Sequence, residues 1–121
     1  FSKRGKRSAQ RWLFIQLQEL FPGEEIIEDF FHEELSKQSS FPIQLDVYIP
    51  GRELAFEFQG EHHYRDIPVF GHLDMQQTRD KEKLEICQEN NLRLVIIPYW
   101  WNKELDTLQD AISQKFPDVF S

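Results

Sequence analysis

Two acids and an amide sit at spacings that would suit a divalent cation. Asp46 lies in Ile43–Ile49 and Glu57 and Gln59 lie in Leu54–Gln59, two alternating segments joined by Pro50-Gly51-Arg52-Glu53. In each segment the apolar residues take every second position: Ile43, Leu45, Val47 and Ile49, then Leu54, Phe56 and Phe58. That period predicts a β-hairpin with one core face, and Pro-Gly is turn chemistry. A two-residue turn pairs positions that add to 101 and sets Asp46 diagonal to Glu57. A four-residue turn pairs positions that add to 103 and sets them directly opposite. Either register puts Asp46, Glu57 and Gln59 together on the face away from the core. Carboxylates about 5 Å apart when opposite, or about 7–8 Å when diagonal, repel unless a cation lies between them. Hard oxygen donors of this kind suit Mg²⁺ or Mn²⁺. The strand then leaves through Gly60-Glu61-His62-His63-Tyr64, which brings two histidines beside the acids.

The remaining elements must hold that hairpin in place. Ser8 can cap a helix running to about Phe21, with Trp12, Leu13, Ile15, Leu17, Leu20 and Phe21 as a broad apolar stripe and Pro22-Gly23 as its end. Residues 25–31 read as a strand and residues 60–74 as an irregular loop. Residues 78–90 read as a helix stopped by Asn90-Asn91. Residues 92–98 read as a strand too continuously apolar for an exposed edge, and residues 103–116 as a last helix. The order is α-β-β-β-α-β-α, an α/β domain over residues 8–121 behind a basic arm at residues 1–7.

Composition bounds the function. The chain has 121 residues, enough for one domain. It is 40% hydrophobic with no apolar run long enough to span a bilayer, so no membrane partner is expected. No signal peptide opens the chain, and Phe1 in place of an initiator Met suggests a domain from a larger protein. The single cysteine, Cys87, excludes an internal disulfide and fits an intracellular, reducing setting in nucleus or cytoplasm. Lys3, Arg4, Lys6, Arg7 and Arg11 give the first twelve residues a charge of +5, which leaves −12 on the rest of a chain whose net charge is −7. An acidic body argues against tight non-specific binding of nucleic acid, but not against an enzyme that meets phosphates through a metal ion. The histidines and Cys87 show no zinc spacing, and Cys87 reads as a small core residue.

With these residues in hand, the chain resembles the PD-(D/E)XK nuclease superfamily, a family with a restriction-endonuclease-like αβββαβ core and a mixed four-stranded sheet flanked by helices. Asp46 followed by Glu57-Phe58-Gln59 is similar to its D…(D/E)xK signature. The text LDVYIPGRELAFEFQGEHHY, then TRDKEKLEICQENNLRLVIIPYWW, is similar to the very-short-patch-repair (Vsr-like) branch, and the likeness covers about residues 8–115. The resemblance implies a metal-dependent endonuclease, with Asp46 and Glu57 as ligands of Mg²⁺ or Mn²⁺. It implies His63, or His62, as a base or phosphate contact, and Asp80 as the acid that opens the following helix. Gln59 stands where most members carry lysine. Lys81 or Lys83 would be a substitute cation, although both read first as solvated helix surface. The family's first-helix glutamate is missing at Gln10-Arg11, with Glu28 as the candidate replacement. Arg79, Lys81, Tyr99 and Trp100 are candidate nucleic-acid contacts, the two aromatics reading first as a core rim. DNA is the expected partner before RNA, and a homodimer is in keeping with the family.

The alternative is a nuclease-like fold that binds RNA or a protein without cutting. LRLVIIPYWWNKELD is similar to the end of the RAP domain, an RNA-associated relative. Because Asp46 is read on a polar face, an Asp46→Ala change is expected to leave stability equal or slightly higher.

Overall fold

In the computed structural model, residues 3–59, 73–98, 101 and 104–120 are described. Helix α1 (Lys3–Leu20) leads into strand β1 (Ile27–Phe31), a one-turn helix α2 (Glu33–Ser36) and strands β2 (Gln44–Ile49) and β3 (Leu54–Gln59). Helix α3 (Leu73–Glu89), strand β4 (Arg93–Pro98), helix α4 (Leu105–Lys115) and a closing 3-10 turn (Pro117–Phe120) follow. The sheet order is β1-β2-β3-β4, with β1–β2 and β2–β3 antiparallel and β3–β4 parallel. This is the mixed α/β architecture that the sequence predicts. No helix among the described residues is long and apolar enough to cross a membrane.

Turn chemistry selects the hairpin register. Val47 pairs with Phe56, Tyr48 with Ala55 and Ile49 with Leu54, the register of the four-residue connection. Pro50–Arg52 form a 3-10 turn whose Pro50 carbonyl accepts from the Glu53 amide at 3.2 Å, and Glu53 closes the turn at φ 47°. The end of α3 is set equally locally. Asn91 takes φ 59°, the Leu92 amide donates to the Cys87 carbonyl (2.8 Å) and the Asn91 amide to that of Gln88 (3.2 Å). That pair of bonds is the Schellman arrangement, in which an asparagine tolerates the left-handed position.

Helices cover both faces of the sheet. One core joins Ala9, Leu13, Leu17 and Phe21 of α1 and its exit to Val47, Ile49, Leu54, Phe56, Phe58, Val95 and Ile97, with Leu108 and Ile112 of α4. The α1 stripe is therefore narrower than the sequence suggests. It keeps an i, i+4 row, while Trp12 and Ile15 are exposed. The second core sets Ile86 and Cys87 of α3 and Leu35 of α2 against Tyr48, Ala55, Leu94, Ile43 and Leu45. Cys87 is thus the small core residue its context implies.

Two helix boundaries, the place of β4 in the sheet and the burial of one face depart from the sequence reading. Helix α1 starts at Lys3, because lysine and arginine are good helix formers and carry the helix back through the basic arm. Helix α3 starts at Leu73, inside the segment read as loop. Strand β4 is an edge of the sheet by hydrogen bonding, yet Leu94, Val95 and Ile97 are buried because helices lie on both its faces. The face carrying Asp46 and Glu57, read as solvent-side, is roofed by α3.

Candidate functional site

Asp46 sits where the sheet opens. The β2–β3 ladder runs from Ile49↔Leu54 to Val47↔Phe56, and one further step of the same register brings Asp46 opposite Glu57. There the Asp46 side chain replaces backbone pairing, its Oδ2 accepting the Phe58 amide at 2.7 Å. The side-chain alternation lapses at the same place. Leu45 packs with the second core although Val47, two residues on, packs with the first. Leu45 pairs with Phe30 on β1, and Asp29 beside Phe30 has φ 53°, a left-handed value that bends the neighbouring strand at the same level. The fork between β2 and β3 is thus built from backbone geometry on three strands.

Asp46 is 8% exposed. Its amide partner overturns the expectation for Asp46→Ala. Alanine would leave the buried Phe58 N–H without that acceptor, so stability falls instead of holding.

Glu57 meets an ammonium group. Lys83 Nζ lies 2.8 Å from Glu57 Oε2 and also donates to the backbone carbonyl of Gln44. The lysine is 8% exposed, and the Glu57 side chain keeps 14% of its exposure. The reading of Lys83 as solvated helix surface is therefore corrected. It lies one turn before Ile86 and Cys87, on the stripe of α3 that packs on the sheet. The signal was the spacing 83, 86, 87, hidden because a lysine in a run of charged residues reads as polar surface. Lys81 does lie on the exposed side of α3.

The other candidates fall in different places. Asp80 does not open α3; the helix begins at Leu73, so Asp80 is two turns inside and beyond the reach of the N-terminal dipole. Arg79 is exposed and its guanidinium stands 5.9 Å from the Phe41 ring centroid. Glu28 is engaged with α1, its Oε1 2.8 Å from Arg11 Nη1 and its Oε2 accepting from Gln10 Nε2 at 3.4 Å. Gln10 Nε2 donates also to Asp29 Oδ1 at 3.2 Å. Gln59 ends β3, opposite Pro98 of β4. His62, His63, Tyr99 and Trp100 lie outside the described residues. Trp101 packs against the first core and donates from Nε1 to Thr107 Oγ1 at 3.1 Å, as a core rim would.

As a donor set, Asp46 and Glu57 suit Mg²⁺ or Mn²⁺, which commonly use one or two carboxylates and complete their shell with water and substrate phosphate. No group of three or more His, Cys, Asp or Glu arranged for a metal is found among the described residues. A separate cleft of about 480 Å³ is lined by Leu84, Cys87, Arg93, Lys115, Phe116 and Asp118 among others, and none of the fork residues borders it. Burial pushes the Cys87 thiol there up to about 11, with Lys83 opposing and Glu57 reinforcing the shift, so it is no nucleophile at neutral pH.

Over 68 residues the chain is 37% identical to uncharacterized protein 307L of Invertebrate iridescent virus 6, an alignment covering 52% of this chain and 34% of that protein. Over 62 residues it is 36% identical to uncharacterized protein 094L of Frog virus 3 (isolate Goorha), covering 47% of this chain and 40% of the relative. The chain thus spans two-fifths or less of the curated relatives it matches. No family model and no solved structure matches it.

Proposed function

We propose that the domain is a metal-dependent phosphodiesterase that cuts nucleic acid at the β2–β3 fork, with DNA as the favoured substrate. The observation that carries this reading is the position of Asp46, a buried carboxylate lodged at a break in the sheet and one register step from facing Glu57. Mg²⁺ or Mn²⁺ held there would polarise a scissile phosphate and lower the pKa of an attacking water. The chain's own part is to aim Asp46 through the Phe58 N–H and Glu57 through Lys83. The acidic body suits such a site, because local negative potential concentrates a divalent cation.

Calorimetric titration with Mn²⁺, together with a nicking assay on plasmid and on RNA, tests the proposal. Wild type should bind the ion and cut. Asp46→Asn should abolish both while leaving unfolding unchanged to within about 1 kcal/mol, because its oxygen still accepts from Phe58. Cutting by Asp46→Asn at the wild-type rate would place the chemistry elsewhere. The glutamine at position 59 favours a second reading, a nuclease-like fold that holds RNA without cutting. Wild type that binds RNA but neither binds Mn²⁺ nor cuts would establish it.

A further inference from the structure

Strand β4 leaves its outer edge open. In the parallel ladder with β3, Arg93 stands opposite Leu54 and its amide donates to the Glu53 carbonyl at 2.7 Å. Parallel pairing engages alternate residues of a strand, so Arg93, Val95 and Ile97 turn their backbone groups toward β3. Leu94 and Ile96 turn theirs to the other side, where no strand lies among the described residues. Leu94 is nevertheless 2% exposed, and buried backbone N–H and C=O groups are nearly always paired. Natural edges are commonly blocked by a charge, a bulge or a proline. Between Arg93 and Pro98 this one carries only Leu94-Val95-Ile96-Ile97.

A cleft crosses that edge. The cavity of about 480 Å³ takes Leu84 and Gln88 from α3, Leu94 from β4, and Lys115 and Phe116 from the end of α4. Helices α3 and α4 pack on opposite faces of the sheet, so a cleft that touches both must pass over the free edge of β4. Its volume suits a side chain or a small ligand. Its charged lining residues are Arg93, Lys115 and Asp118. Arg93 and Asp118 pair with each other. Lys115 makes no ion pair or hydrogen bond with a described residue, and its ammonium stands 5.8 Å from the Phe116 ring centroid. The cleft thus keeps one uncompensated positive charge in a body that is otherwise acidic.

We propose that the β4 edge and this cleft bind an extended, acidic peptide segment of a partner protein. The segment adds a strand beside β4, its backbone pairing with Leu94 and Ile96, which repeat at the two-residue spacing of a strand, about 6.6 Å. One acidic side chain of the segment enters the cleft and meets Lys115. In strand addition the main chain supplies affinity and the side-chain pockets supply selectivity. None of the fork residues borders the cleft, so this inference stands apart from the nuclease reading.

The test titrates the isotope-labelled chain with three capped probes and follows its amide NMR signals. The probes are acetyl-Val-Glu-Val-amide, its counterpart acetyl-Val-Lys-Val-amide, and the glutamate probe methylated on its backbone nitrogens. The glutamate probe should shift the Leu94 and Ile96 amides and bind several-fold more tightly than the lysine probe, the scale of one exposed ion pair. Methylation removes the pairing donors and keeps the side chains, and should weaken binding about tenfold, the scale of one or two hydrogen bonds. Lys115→Gln should erase the preference for glutamate, and Lys115→Glu should reverse it. The wild-type probe series decides the matter even where a variant fails to fold. A wild type that binds no probe, that binds the glutamate and lysine probes equally, or that binds the methylated probe undiminished would overturn the proposal. Sodium acetate that saturates the same shifts at the same concentration would overturn it too, by reducing the cleft to a site for a simple anion. A dimer in sedimentation that protects the two amides would give the edge to a second copy of the chain instead.

Discussion

The two faces of the sheet are packed to different ends. Under α1 and α4, the residues that meet the sheet in the core are apolar: Leu13, Leu17, Leu108 and Ile112 against Val47, Phe56, Phe58 and Ile97. Under α3, the apolar cluster of Ile86, Cys87, Tyr48, Ala55, Leu94 and Leu45 is interrupted at the fork by Asp46, Glu57 and Lys83. The first face uses its area for stability alone. The second carries a cluster of three buried or half-buried charged side chains.

That contrast can be broken most strongly from the first face. Phe56→Ala should lower unfolding free energy by about 3–5 kcal/mol, since it leaves a cavity in a close-packed layer. Urea denaturation would measure it, and on the proposed reading the folded fraction should bind Mn²⁺ to the same extent as wild type. A loss of Mn²⁺ affinity in the folded protein would mean that the two faces are not separable.

A smaller effect sharpens the contrast from the other side. Asp46→Ala should cost about 1–3 kcal/mol, the penalty for a buried amide left without its acceptor. Asp46→Asn should cost clearly less. Equal urea midpoints for the two variants would show that the Phe58 N–H bond contributes little to the fold.

The smallest effect comes from Cys87. Its thiol, raised from an ordinary 9.0 to about 11 by burial, stays neutral in the folded state where an unfolded chain would already ionise. Its contribution is therefore fully present below about pH 9 and is lost as pH rises from there through about 11. Unfolding midpoints followed across that window should fall by more in wild type than in Cys87→Ala. Native protein should also resist alkylation at pH 8. A thiol alkylated as fast as free cysteine would contradict the burial.

The hairpin and the order of the long elements were legible in the sequence, because each rests on local period and turn chemistry; the alternation was not, since Ile43 and Leu45, read on one face with Val47 and Ile49, pack instead with the second core. Asn90-Asn91 named the end of α3 for the same reason. The pairing of Asp46 with Glu57 was legible up to the choice of turn length, which Glu53's left-handed conformation settled. What escaped was tertiary. Helix α2 spans one turn, too short to show a period. The roof over the second face was hidden because Gln44, Asp46, Glu57 and Gln59 make that face read as solvent-exposed. The burial of Lys83 was hidden with it, since only the docking of α3 distinguishes it from Lys81.

The parallel pairing of β3 with β4 has one more consequence, and it concerns handedness. A strand, a crossover helix and a parallel strand in one sheet turn right-handed in nearly all proteins, because a twisted strand feeding a right-handed helix packs back only that way. Once β4 lies beside β3, the helix between them has one face of the sheet open to it, and α1 and α4 are left with the other. Chirality of the backbone thus sends residue 83 over Glu57 before any charge is considered. The contact between Lys83 and Glu57 thus follows from topology before it follows from charge.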